Sequence, residues 1–209
     1  MRACRQADDP NPWPGRGAVK ELIRSQGHPF PAWLSFHLNN GLRRRFHPPE
    51  KIITALDVKA TDTVLDFGCG PGFFTIPFAR TAKKVVAVDL QPKMLLKAAQ
   101  YAEKNGVTIR TIQSNGQFIS LPNESCDLIF LSGVYHELPE KRRVLLELKR
   151  TLKPRGRIVI RERTKRPRFS LGPPEVNPTR VSEAVGFRAA ALVSDPTEKG
   201  ATLITASQA

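Results

Sequence analysis

The stretch TVLDFGCGPG, residues 63–72, restricts the fold of this chain more than any other. TVLDF reads as a short buried strand, and the turn after it carries Gly68, Gly70 and Gly72 ahead of a helix. Glycines there permit backbone angles closed to other residues and let the chain approach a ligand with no Cβ in the way. A lone glycine repeat carries little information. Here it is answered by Asp89, at the end of the next apolar run VVAVD, 21 residues beyond Gly68. In a doubly wound sheet, ligands sit outside the carboxyl ends of the strands, so a carboxylate at Asp89 stands beside the glycine loop and can accept from ribose hydroxyls. The alternative for Asp89 is a surface carboxylate favoured by the start of the following helix.

The loop also discriminates between ribose-bearing ligands. Dinucleotide folds carry G-x-G-x-x-G with a helix N-terminus directed at a pyrophosphate. This loop is shorter and has Asp66 immediately before it. A carboxylate there repels a pyrophosphate and suits a ligand with an ammonium group, such as the methionine end of S-adenosylmethionine.

Around this unit the chain alternates between extended and helical patterns. Pro48 and Pro49 can open a helix whose apolar face is Ile52, Ile53 and Leu56. VVAVD (85–89), TIRTIQ (108–113), DLIFLS (127–132) and GRIVIRE (156–162) read as further strands. QPKMLLKAAQYAEKNG reads as a helix closed by Gly106, and PEKRRVLLELKRTL as a helix with Val144, Leu145, Leu148 and Leu152 on one face, stopped near Pro154. Such alternation predicts an α/β fold, a parallel sheet with helices on both faces. Near the end, RTKRPRFSLGPPEVN (163–177) is a basic, proline-broken loop and PTRVSEAVGF a short helix closed by Gly186. FRAAALVSD and GATLITAS, separated by residues 196–199, signal a hairpin.

The formal charge of +14 calls for an explanation. Thirteen basic residues fall between Lys141 and Arg168 against Glu147 and Glu162, and Arg43 to Arg45 form a second cluster. These are solvated faces or a nucleic-acid track. FPAWLSFHL (30–38), ahead of RRRF, suggests a lid or docking helix, or an interfacial helix at a membrane surface. Cys4, Cys69 and Cys126 form no C-x-x-C pair or His-rich cluster, so no disulfide framework or metal site is expected and a reducing cytoplasm fits. Residues 1–29, rich in Pro, Gly and Arg without periodicity, read as a disordered leader.

VLDFGCGPGFFTIPFA, VVAVDLQPKML, SLPNESCDLIFLSGVYHEL and LKRTLKPRGRIVIRE, in that order, resemble successive motifs of class I S-adenosylmethionine-dependent methyltransferases. The group of quinone-biosynthesis and small-molecule enzymes is the most similar. The resemblance implies a Rossmann-like doubly wound sheet of seven strands whose last hairpin is antiparallel. It divides the chain into a leader (1–29), an N-terminal cover or docking helix (30–47) and a methyltransferase domain (48–209). By position it places Asp66, Phe67, Gly68, Cys69 and Gly70 at the methionine end of the cofactor and Asp89 at the ribose. Leu90 and Met94 flank the adenine, and Ser132 and Gly133 lie under the cofactor. The family's usual Asp near the adenine amino group is replaced by Asn115, followed by Gly116; an Asn carbonyl can still accept there.

His136 is the candidate catalytic residue, a base at neutral pH with Glu137 beside it; otherwise it packs against the pocket or caps a helix. A base is not obligatory, because orientation against an already activated methyl group supplies about 7 to 11 kcal/mol. The sequence leaves three functions open. They are methyl transfer to a small or lipid-like acceptor, methyl transfer to RNA or protein, and cofactor binding without catalysis.

Overall fold

The computed structural model describes residues 41–138, 140–163, 187–198 and 201–208. The leader, the apolar segment 30–38, the basic loop 164–177 and the helix expected at 178–186 lie outside these residues.

Helices α1 (Gly41–Phe46) and α2 (Pro49–Ala55) precede β1 (Thr63–Phe67), α3 (Thr75–Thr81), β2 (Lys84–Asp89), α4 (Pro92–Lys104) and β3 (Arg110–Gln113). Then come β4 (Cys126–Ser132), a 3-10 turn (Tyr135–Glu137), α5 (Lys141–Thr151), β5 (Leu152–Arg163), β6 (Phe187–Ser194) and β7 (Ala201–Gln208). The seven strands form one sheet in the order β3-β2-β1-β4-β5-β7-β6. Strands β1 to β5 pair in parallel, and β7 runs antiparallel to both β5 and β6. The direction of winding reverses between β1 and β4, and this reversal opens the crevice at the carboxyl ends of the strands.

Two apolar layers cover the sheet, and the period of two along β4 divides them. Leu128 and Phe130 point to the layer with Ile52, Ile53, Phe74 and Phe78, so α2 and α3 cover that face. Ile129 and Leu131 point to the other, where Val144, Leu145 and Leu148 of α5 pack. The rings of Phe74 and Phe78 meet Phe130 edge-on at 5.0 and 5.2 Å, which fixes α3 against the middle of the sheet. α4 packs through Leu95 and Ala98 on Ala87 and Cys69, and the smallness of Ala98 lets it approach Gly72 closely. Among the described residues no helix is long and apolar enough to cross a membrane.

The observed elements depart from the sequence expectations at three boundaries. β3 is shorter than expected, starting at Arg110. Tyr135, His136 and Glu137, between the fourth strand and the helix expected from Pro139, form a 3-10 turn of their own. The fifth strand begins at Leu152 rather than Gly156, and its register against β4 jumps from Cys126↔Leu152 to Leu128↔Arg157. The intervening Lys153 to Gly156 are absorbed as an irregularity, which is where a proline lacking its amide hydrogen does least harm.

Gly156 is what makes that irregularity compact. A Cβ there would stand 2.7 Å from Leu152 Cδ1 and 3.0 Å from the Cys126 carbonyl oxygen, and backbone cannot yield as a side chain can. Gly156→Ala is expected to lower stability by about 1 to 3 kcal/mol, read as a lower urea midpoint at unchanged slope.

Candidate active site

The site is built where β1 and β2 end. The backbone amides of Gly68 and Cys69 donate to Val88 O at 2.7 and 3.0 Å, which ties the glycine loop to β2. Gly70 N then donates to Asp89 Oδ2 at 2.9 Å, and Gln91 N donates to Asp89 Oδ1 at 2.8 Å. One carboxylate thus holds both the loop and the entry to α4. Burial holds its carboxyl above the ordinary range, with the backbone amides of Gln91, Gly70 and Leu90 opposing.

The three loop glycines have different reasons. At Gly68 (φ 72°) a Cβ would lie 2.3 Å from Val134 Cγ2, so the absent side chain admits the segment after β4. At Gly72 the close neighbour is Ala98 of α4. Only at Gly70 (φ 52°) does the Cβ position face open space, as it does at Gly133 (φ 67°) after β4. Those two positions are where a ligand can approach the backbone.

Asp66 is 3% exposed, and its Oδ2 accepts from Thr75 Oγ1 at 2.6 Å. Burial pushes its carboxyl up to about 7, against the pull of the Thr75 hydroxyl and with the added repulsion of Asp89. A carboxylate in that state is poised to take a cation. Phe67 contributes only backbone here, because its ring is buried beneath Gly116 in the α5 layer. Cys69 packs on Ala87, Leu95 and Ala98, and burial pushes its thiol well up, which suits a small apolar residue and not a nucleophile.

Leu90 is partly buried, and its carbonyl accepts from Gln113 Nε2 at 3.2 Å; Met94 is buried on α4. Asn115 Oδ1 accepts from Gln117 N at 3.0 Å, so the amide stabilises its own turn. Gly116 has φ 85°, and a Cβ there would overlap both Phe67 and Val144, so this glycine serves the core. Ser132 Oγ accepts from Arg161 at 3.3 Å. His136 Nδ1 lies 3.1 and 3.2 Å from the oxygens of Glu162. That hydrogen bond, with burial opposing it, holds the imidazole above its ordinary range.

Three residues missing from the sequence reading matter here. Glu162 pairs with His136, Thr75 supports Asp66, and Arg161 reaches Asp195 and Glu198 of the β6–β7 turn while its guanidinium lies over the Phe74 ring. The available signal was strand parity: in IVIRER, Glu162 shares a face with Ile158 and Ile160, while Arg161 shares the other with Val159. Two charges inside an alternating apolar strand have to find partners.

This fold and edge define a class of nucleotide-type ligand sites, and comparison with known proteins narrows it. Residues 65–160 match the methyltransferase domain family. A crystal structure of a SAM-dependent methyltransferase from Aquifex aeolicus superposes with a TM-score of 0.76 at 28% identity, covering 85% of this chain and 98% of that one. Similar curated relatives include the uncharacterized methyltransferase YcgJ of Bacillus subtilis, 27% identical over 110 residues, and the ubiquinone/menaquinone biosynthesis C-methyltransferase UbiE of Escherichia fergusonii, 31% identical over 113. Each match covers 52% of this chain, and 44% and 45% of those proteins respectively, so the chain spans under half their length. Over residues 65–160 the chain carries the methyltransferase domain, and in fold and sequence it is similar to class I S-adenosylmethionine-dependent methyltransferases, whose cofactor is S-adenosylmethionine.

The raised carboxyl of Asp66 has two opposite consequences for pH. Up to about 7 the empty folded protein keeps a proton that the unfolded chain releases above 3.8. Stability from this group is therefore complete below 3.8 and is lost as pH rises to about 7. An ammonium ligand favours the ionised form, so cofactor affinity should rise with pH through the same range and then level off. Asp66→Asn is expected to abolish both trends, leaving weak, pH-independent binding and an empty protein of higher melting temperature at about pH 8, checked by calorimetry and thermal melts.

Proposed function

We propose that this chain transfers a methyl group from S-adenosylmethionine to a small or lipid-like acceptor bound at the carboxyl ends of β1, β2 and β4. The observation that carries this reading is the pair of carboxylates, buried Asp66 and partly buried Asp89, bracketing the open approach at Gly70. When bound, the cofactor supplies a methyl group on a positively charged sulfur.

The residues present fit that group. Asp66 meets the ammonium of its methionine end, and Asp89, whose two oxygens already take one amide each, keeps lone pairs for ribose hydroxyls. Leu90 and Met94 would flank the adenine, the turn at Asn115 and Gly116 would meet its edge, and Gly133 would leave room for the methyl-bearing end. Holding the acceptor at the methyl group is the main contribution the protein makes, since proximity alone supplies several orders of magnitude.

A small acceptor suits this surface better than a polyanion. Within the described part of the basic stretch, Lys141, Arg150, Lys153, Arg157 and Arg161 each bind protein groups: Leu138 O, Glu147 with Ile119 O, Asp127, Leu56 O, and Asp195 with Glu198. These cations fasten the fold and do not form a free phosphate track. The relative named for quinone biosynthesis carries a small-molecule reaction in its name, which supports the same class of acceptor. Buried free thiols at Cys69 and Cys126 fit a cytoplasmic setting.

Calorimetry is expected to give one site for S-adenosylmethionine and for its demethylated product, and none for NAD. Asp89→Ala should weaken both by roughly ten-fold to a hundred-fold, from the loss of ionic hydrogen bonds of about 1.5 to 3 kcal/mol. Wild-type affinity in that variant removes Asp89 from the site, and NAD binding without a response to S-adenosylmethionine removes the whole reading.

A further inference from the structure

Beyond β4 the fold brings together two side chains that are distant in sequence. His136 sits in the 3-10 turn, and Glu162 lies near the end of β5 on the face that carries Ile158 and Ile160 into the apolar layer. Glu162 is 4% exposed, and an ionised carboxylate so placed must be partnered. Among the described residues all its hydrogen bonds go to His136, from Nδ1 at 3.1 and 3.2 Å and from the backbone amide at 3.4 Å. An ionised carboxylate only accepts, so the hydrogen is on Nδ1. Nε2 is left on the opposite edge of the ring, 3.7 Å from Glu137, too far for a hydrogen bond. Gly133, with open space where its Cβ would stand, begins the segment that leads into this turn.

We propose that Glu162 is a positioning residue for His136 and that the pair removes a proton from the acceptor, which therefore presents a weakly acidic O–H or S–H group. This rests on the methyl-transfer reading above. The proton of the acceptor passes to Nε2, and the bonding pair stays on the oxygen or sulfur that takes the methyl group, the sulfonium keeping its own S–C pair. The imidazolium so formed is neutralised by Glu162 until it releases the proton to water. Glu162 does not take the proton; it holds the tautomer and the ring orientation, as a carboxylate behind a catalytic histidine does elsewhere.

The charges around the ring set the pH dependence. Glu162 on β5 and Glu137 on the same turn favour the protonated ring, while Lys141 of α5 and burial oppose it, and Glu162 dominates. The neutral base is therefore populated as pH rises through a value above the ordinary 6.5. A pair that served only stability would leave the pH profile of the reaction unaffected.

The test compares wild type with Glu162→Gln, which keeps an acceptor oxygen but loses the charge. His136 is titrated by NMR of its ring nitrogens in protein saturated with S-adenosylhomocysteine, and methyl transfer from S-adenosylmethionine is followed against pH with panels of phenols, thiols and amines. Transfer is expected to phenols or thiols, with a rising limb at the NMR midpoint of His136. In Glu162→Gln the midpoint and the limb should move to lower pH together, and the plateau rate should fall at least about ten-fold while cofactor affinity is kept. If that variant does not fold, Glu162→Asp, which retains the charge on a shorter arm, should keep a raised midpoint with a lowered plateau. A limb that stays in place while the NMR midpoint moves overturns the inference. Transfer to amines alone, or to no probe, with S-adenosylmethionine still bound, overturns it too and leaves the cofactor site standing. Failure to bind S-adenosylmethionine at all instead removes the reading on which it rests.

Discussion

Asp89 receives one amide from the glycine loop and one from the start of α4, and the architecture of the site hangs on that double contact. A loop with three glycines in left-handed conformation is entropically the costliest segment a chain can order. Four backbone amides, those of Gly68, Cys69, Gly70 and Gln91, are drawn to the last two residues of β2, and the loop is thereby shaped before any ligand arrives. Preorganisation of this kind lowers the ordering cost that binding would otherwise carry. It also means that Asp89 is both a fastener and a ligand-facing group, so its two duties share one pair of oxygens.

The electrostatics invert the impression left by the composition. A chain of net charge +14 places Asp66, Asp89, Glu137 and Glu162 along one edge of its sheet, each on or just after a different strand. Lys141, Arg150, Lys153, Arg157 and Arg161, by contrast, are spent on carbonyls and carboxylates of the scaffold. Net charge thus describes the surface at large, while the local field at the crevice favours a cationic ligand. The two facts belong to different length scales and do not conflict.

Most of the fold was legible because its signals are periodic. The continuous apolar runs TVLDF, VVAVD and DLIFLS, recurring between helical segments, and the turn residues between FRAAALVSD and GATLITAS, lead to the observed seven strands and the antiparallel hairpin. Boundaries were less legible where two tendencies compete. Pro154 stops a helix but does not exclude a strand that tolerates an irregularity, so β5 starts earlier than its apolar core suggests. At the site, the glycines were visible as glycines but not by role, because which neighbour forbids a Cβ is a tertiary fact: Val134 at Gly68, Phe67 at Gly116. Glu162 was hidden for the same reason. Its charge made it look like surface in a basic segment, whereas its parity carries it inward to His136.

The turn between β6 and β7 is gripped from two sides. Arg161 reaches into it to bind Asp195 and Glu198, and Asp195 in turn accepts from the amides of Thr197 and Glu198. From the N-terminal side, His47 Nδ1 donates to Thr197 O at 3.0 Å. Segments separated by 150 residues therefore meet at one knuckle, a short distance along β5 from Glu162. The hairpin is for that reason more than the last edge of a sheet. It is a rivet through which a change of length in one turn would be felt at once by the link between α1 and α2, where His47 stands, and by the strand that supports the acidic rim.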